Sequence, residues 1–122
     1  MPQLVSVTLF LVGLIHLLPL VGVLGAKRLH ALYGIAFAEP NLLILMRHRA
    51  VLFGLLGALM IEAAFNSAHE AIALGIAGVS VTSFLVMERG QGNAQLRSVA
   101  RIDWFALALL AASAFARWLS AR

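Results

Sequence analysis

Arg47, His48 and Arg49 stand in a row inside a stretch that is otherwise apolar from Leu42 to Ile61. A charged side chain at the centre of a bilayer costs at least about 2.5–3.5 kcal/mol on insertion scales, so charge inside such a helix has three uses. It can reach back to lipid headgroups along its own aliphatic stem, pair with an anion inside a helical bundle, or hold a ligand. Counted from Pro40, Arg47 lies seven residues in, about 10 Å at 1.5 Å per residue. The remainder of the span, 50–65, is 16 residues long, somewhat short of the roughly 20 needed to span hydrocarbon. That shortfall favours partial burial of the triplet. His48 between two cations could serve as acid or base toward a phosphate or carboxylate substrate.

His16 lies in the first apolar run at a depth close to that of the Arg47–Arg49 turn. Pro19, three residues on, has no N–H and clashes with the carbonyl of Ile15, which should bend the helix and free an acceptor beside the imidazole. His16 could donate to a neighbouring helix, relay protons or touch a ligand. Metal or haem ligation would need a second ligand at diagnostic spacing, and none is present, so no metal site is expected and no cofactor is specified. Glu62 is either an interfacial carboxylate near the polar stretch 66–70 or the coupling group of a proton-driven transporter. Asp103 either forms an interfacial ion pair with Arg97 and Arg101 or neutralises an arginine of the second span. Ser80, Thr82 and Ser83 can bond across helices or to their own backbone. His16, Arg47, His48, Arg49 and Asp103 are the candidate lining of a polar, basic pocket, with Glu62 a separate proton-coupling candidate.

The elements that must position these residues follow from composition. The chain has 122 residues, 62% hydrophobic and only 11% charged, with a mean hydropathy of +0.98. A soluble domain of this size buries only about 60–70% of its unfolded surface and could not hide that much apolar side chain, so lipid is the expected solvent. Four apolar spans are expected, at about 4–25, 41–65, 68–87 and 102–119. The first resembles a signal sequence, but Met1-Pro-Gln carries no cation, the run is long and Leu24-Gly-Ala26 is a poor cleavage site, so it is expected to be retained. Between spans one and two, Leu29, Leu32, Tyr33, Ala36 and Phe37 recur at helical spacing with Lys27, Arg28 and His30 off the stripe, which suits a short interfacial helix that Gly34 interrupts. Pro40 restarts the chain in a first helical turn. Spans two and three form an antiparallel hairpin, and Arg97 and Arg101, four apart, suggest that the fourth helix begins before the membrane. No strand-like alternation is present. The expected fold class is therefore all-α: one integral membrane four-helix bundle, 1–122, with an interfacial helix between spans one and two.

Helix contact in lipid depends on close backbone approach at small residues. Gly54 with Ala58, Ala71 with Gly75, and Ala108 with Ala112 and Ala116 are the expected seams. There are no cysteines and the net charge is +4. The charge sits at the ends of apolar runs, which is a membrane pattern and argues against nucleic acid as partner. Seven of the basic residues, Lys27, Arg28, Arg47, Arg49, Arg89, Arg97 and Arg101, fall at one end of a four-span scheme, with Arg117 and Arg122 at the other. The positive-inside rule then places connectors one and three in the cytoplasm and both termini outside.

The runs Gly13-Leu-Ile-His16-Leu-Leu-Pro19, Leu32-Tyr-Gly34 and Leu45-Met-Arg47-His48-Arg49-Ala-Val-Leu-Phe-Gly54 resemble a family of short bacterial membrane proteins that is similar in plan to DoxX-like four-helix proteins. The resemblance implies a bacterial inner-membrane location and the four-helix architecture. Some such relatives carry the name phosphopantetheine adenylyltransferase, a soluble nucleotide-binding enzyme with a His-x-Gly-His signature. None of His16, His30, His48 or His69 is followed by Gly-His, so that activity is not implied. Three functions are open to the sequence. A binding or accessory protein would hold an anionic lipid, a quinone or a larger membrane complex. A membrane-embedded enzyme would use His48 or His16. A small proton-coupled transporter would use Glu62 or His16, as a homo-oligomer.

The absence of cysteine allows a direct test of orientation. Ser67→Cys should react with a membrane-impermeant maleimide in intact cells, and Gln91→Cys only after lysis; the reverse pattern would invert the scheme.

Overall fold

The computed structural model describes residues 2–121. It contains five helices: α1 (Pro2–Leu17), α2 (Ala26–Tyr33), α3 (Pro40–Ala64), α4 (Glu70–Glu88) and α5 (Ala94–Ala121). No strand occurs among the described residues. Four segments, Gln3–Leu24, Pro40–Ala64, Ser67–Glu88 and Ala94–Ala121, are long and apolar enough to cross a membrane. The outward faces carry large apolar side chains such as Leu45, Leu55, Val79, Trp104 and Phe105, the surface expected of helices bathed in hydrocarbon.

Local chemistry accounts for each boundary. From Leu18 the first helix tightens into a 3₁₀ segment, Leu18–Leu24, with Pro19 in its first turn. Proline cannot supply an N–H to the α-helical ladder, and the tighter geometry carries the chain past it. Gly25, at φ 125°, ends that segment. α2 stops at Gly34, which takes the left-handed conformation expected of a glycine stop. The Glu39 carboxylate caps α3 by accepting from the Leu42 N–H at 2.8 Å, with Pro40 in the first turn. Asn66 accepts from Ala68 N–H at the α3–α4 turn. Asn93 Oδ1 accepts from Leu96 N–H and so caps α5 at Ala94, well before the apolar stretch.

The long helices form a ring in which α1 packs on α3 and α5, and α4 packs on α5 and α3. The closest approach is between α1 and α3. A methyl group at Gly57 would lie 2.7 Å from the Gly13 carbonyl oxygen, and one at Gly13 would lie 3.0 Å from that of Gly57. Leu9, Val12, Met60, Ala73, Ala77, Val81, Ala106 and Leu110 fill the core between the four helices. Thr8 and Ser113 pair inside it, the Ser113 hydroxyl donating at 2.7 Å.

The seams differ from those expected. Gly54 is buried, against Leu20, but Ala58, Ala71, Gly75, Ala108 and Ala112 face outward. The small residues buried between the long helices include instead Gly13, Gly57, Ala63, Ala73, Ala77, Ala100 and Ala106. Small residues occupy several faces of each helix, so spacing alone could not choose among them.

Gly57→Ala should lower stability by about 1–3 kcal/mol through backbone overlap with α1. Gly75→Ala, where a methyl meets nothing within 4 Å, should shift it by no more than about 1 kcal/mol. Thermal unfolding in detergent would separate the two, and equal losses would refute the contact.

Candidate functional site

The 3₁₀ segment and Gly25 turn the chain back so that α2 crosses one end of the bundle. Leu29 packs on Gly22, where a methyl would lie 2.7 Å from its Cδ2. Leu29, Tyr33 and Phe37 are buried against Leu43, Met46 and Leu96. This matches the apolar stripe read from the sequence, except that Ala36 is exposed. The far end of α2 is pinned by Asn93, whose Nδ2 donates to the Tyr33 carbonyl at 2.7 Å. α2 thereby holds the Tyr33 ring inside the bundle.

Three polar groups lie at matching depth. Arg49 is nine residues into α3, Asp103 nine residues into α5, and Ser80 eight residues before the end of α4, each about 12–14 Å from its helix end. His16, near the end of α1, joins them. Arg49 Nη1 donates to the Tyr33 hydroxyl at 2.6 Å. Its guanidinium carbon lies 4.4 Å from the centre of the Phe53 ring and 5.4 Å from that of Tyr33, geometry in which a ring's electron-rich face attracts a cation. The His16 imidazole stacks on Phe53 at 5.4 Å. Its Nδ1 lies 3.0 Å from the Val12 carbonyl and its Nε2 2.8 Å from Ser80 Oγ. A carbonyl only accepts, so Nδ1 carries the proton, and Nε2 of the neutral ring accepts from the Ser80 hydroxyl.

These side chains border a cavity of about 130 Å³ whose remaining walls include Ile15, Leu18, Pro19, Leu32, Phe84, Val99 and Ile102. Asp103 is buried and lies on the cavity wall. Its carboxyl has no hydrogen-bond partner among the described residues, and Arg49 is the arginine on the same cavity wall. Among the described residues Asp103 forms no ion pair with Arg97 or Arg101 and no direct one with Arg49; Arg49, of the second span, is the arginine that shares its cavity.

The candidate residues separate as follows. His16, Arg49 and Asp103 line one cavity. Arg47 is exposed and its Nε donates to the Val23 carbonyl at 2.8 Å, joining α3 to the 3₁₀ segment outside the cavity. His48 is exposed and makes no hydrogen bond to any described residue. Glu62 is at the opposite end of α3, where it accepts from Asn66 at 2.9 Å and lies 2.7 Å from His69 Nδ1. Arg117 pairs there with Glu70 at 3.3 Å. Among the described residues no group of three His, Asp or Glu is placed to hold a metal ion.

Tyr33, Phe53 and Ser80 belong to the site and were not singled out for it by the sequence. Phe53 carried a usable signal, since it lies four residues after Arg49 and so on the same helix face. Ser80 was open to a bond across helices, which it makes, but its partner, 64 residues away, could not be named from the sequence.

No protein-family model matches the chain, and no curated protein or solved structure is significantly similar to it.

Ser80→Ala should cost about 0.6–1.7 kcal/mol, the range for hydrogen bonds between membrane helices, and Ser80→Thr should recover most of it. A thermal-unfolding comparison in which Ala and Thr behave alike would show that the His16 bond contributes nothing.

Proposed function

We propose that the chain is an inner-membrane protein, connectors one and three cytoplasmic, that binds a lipid-soluble molecule with a neutral hydrogen-bonding ring head, of the quinone or quinol class. Kinship with DoxX-like four-helix proteins belongs to the same proposal.

The observation that carries it is the placing of Arg49 and Asp103 together on the wall of a small, mostly apolar cavity. Their formal charges cancel, which favours a neutral head over an anionic lipid. The hydroxyl of Tyr33 accepts from Arg49, leaving its own proton to donate; the Asp103 carboxylate has acceptor capacity that no described residue uses. A ring with one acceptor and one donor, as in a partly reduced quinone, would meet both. A volume near 130 Å³ is close to the roughly 150 Å³ cavity known to accept benzene in another protein. Membrane ligand sites generally have this form, apolar walls with a few convergent polar groups.

An enzyme acting through His16 has one observation in its favour, the 2.8 Å contact with Ser80 Oγ, since a base within bonding distance of a hydroxyl is the arrangement that activates a nucleophile. A fluorophosphonate adduct on Ser80, lost in His16→Phe, would favour that reading over simple binding.

The binding reading predicts that the full chain, purified in mild detergent and mixed with a benzoquinol carrying a ten-carbon tail, keeps one quinol per chain in native mass spectrometry. Arg49→Leu and the cavity-filling Ile102→Trp should each reduce retention at least tenfold, while phosphatidylglycerol should not compete. Equal retention by all three proteins would exclude this cavity as the site.

A further inference from the structure

On the side between α3 and α4 the cavity adjoins a second space. Arg49, Phe53, Ser80 and Phe84 each face two spaces: the cavity itself and a groove of about 560 Å³ running along the outer surface of the α3–α4 pair. The outer part of that groove is apolar, bordered by Leu52, Leu56, Ile76, Val79 and Met87. Val79 and Met87 are 72% and 74% exposed, so the groove opens onto the surface that would meet lipid tails. The one other hydroxyl on its wall, that of Ser83, donates to the Ser80 carbonyl at 3.0 Å and is thereby used within its own helix. At Gly75 the wall has no side chain, and a methyl there would meet nothing within 4 Å.

We propose that this groove is a lateral doorway from the bilayer, and that its occupant is the apolar tail of the molecule whose ring sits in the cavity. The inference rests on the ring-head reading above and adds the route of entry and a long-tailed ligand. The adjacency of the two spaces, which only four shared side chains divide, supplies the argument. A ring held by Tyr33 and Asp103 has its way out past Phe53 and Ser80, and the first surface it reaches beyond them is apolar and faces lipid. The tail leaves one hydrocarbon environment for another, so it gains by shape fit and not by escape from water. A hydrocarbon chain fits better than a second protein helix because the groove's polar end, at Arg49 and Ser80, is where the chain joins its head.

The test uses the full chain in mild detergent and a benzoquinol whose ten-carbon tail ends in a photoreactive diazirine, with the tail-less benzoquinol as control. Irradiation should place adducts on Leu52, Ile76, Val79 or Met87. In Gly75→Leu those adducts should fall at least fivefold, while retention of the tail-less quinol stays within twofold of wild type. Adducts spread over α1 and α5, or unchanged in Gly75→Leu, would overturn the doorway while leaving the ring site standing. Absence of tail-less quinol binding in the wild type would instead remove the ring site, and the doorway with it.

Discussion

A guanidinium part-way along an apolar helix has to be met by something other than water, and Arg49 is that group. Arginine keeps its proton under all biological conditions, so burial cannot be relieved by neutralisation. The bundle answers with partners from three different elements. Tyr33 of α2 offers an oxygen, Phe53 of α3 offers a ring face, and Asp103 of α5 offers opposite charge. Bringing Tyr33 within reach requires α2 to fold back over the end of the bundle. That in turn requires the break at Gly25, the stop at Gly34 and the Asn93 clamp on the Tyr33 carbonyl. Much of what is irregular in this fold lies on the path between Arg49 and its partners.

The two ends of the bundle are stabilised differently. Toward the turn between α3 and α4, the core is made of Val5, Leu9, Met60, Leu110, several alanines and the Thr8–Ser113 pair, and the helix exteriors end in the Glu62–His69 and Arg117–Glu70 pairs. These exposed pairs contribute little energy and chiefly fix the ends in place. Toward α2, polar side chains and aromatic rings take over from alanines and hold a space open between them. The Gly13–Gly57 contact lies between the two regions, and fixes how far α1 stands from α3.

Charge balance decides what such a space can recognise. With Arg49 and Asp103 on the same wall, an anionic headgroup gains from one and is opposed by the other. Recognition then depends on hydrogen-bond complementarity, which discriminates sharply in an apolar setting because an unmatched polar group inside it is costly. A buried carboxyl without a hydrogen-bond donor selects for molecules that bring one.

The sequence by itself determined the number and placement of the apolar helices, the apolar stripe of Leu29, Tyr33 and Phe37, the stop at Gly34, the start at Pro40 and the early start of α5. In helices this apolar, length and hydropathy are the dominant constraint, because a backbone placed in hydrocarbon must satisfy its own hydrogen bonds. Rotation of the helices was decided only by the tertiary structure. Successive residues point about 100° apart, so Arg47, His48 and Arg49 cannot share a face, and nothing in a helix apolar on every side says which of them turns inward. The same loss of phase hid Ala73, Ala77 and Ala106 among equally small neighbours. It also hid Ser80, whose role exists only because α4 brings it within 2.8 Å of His16.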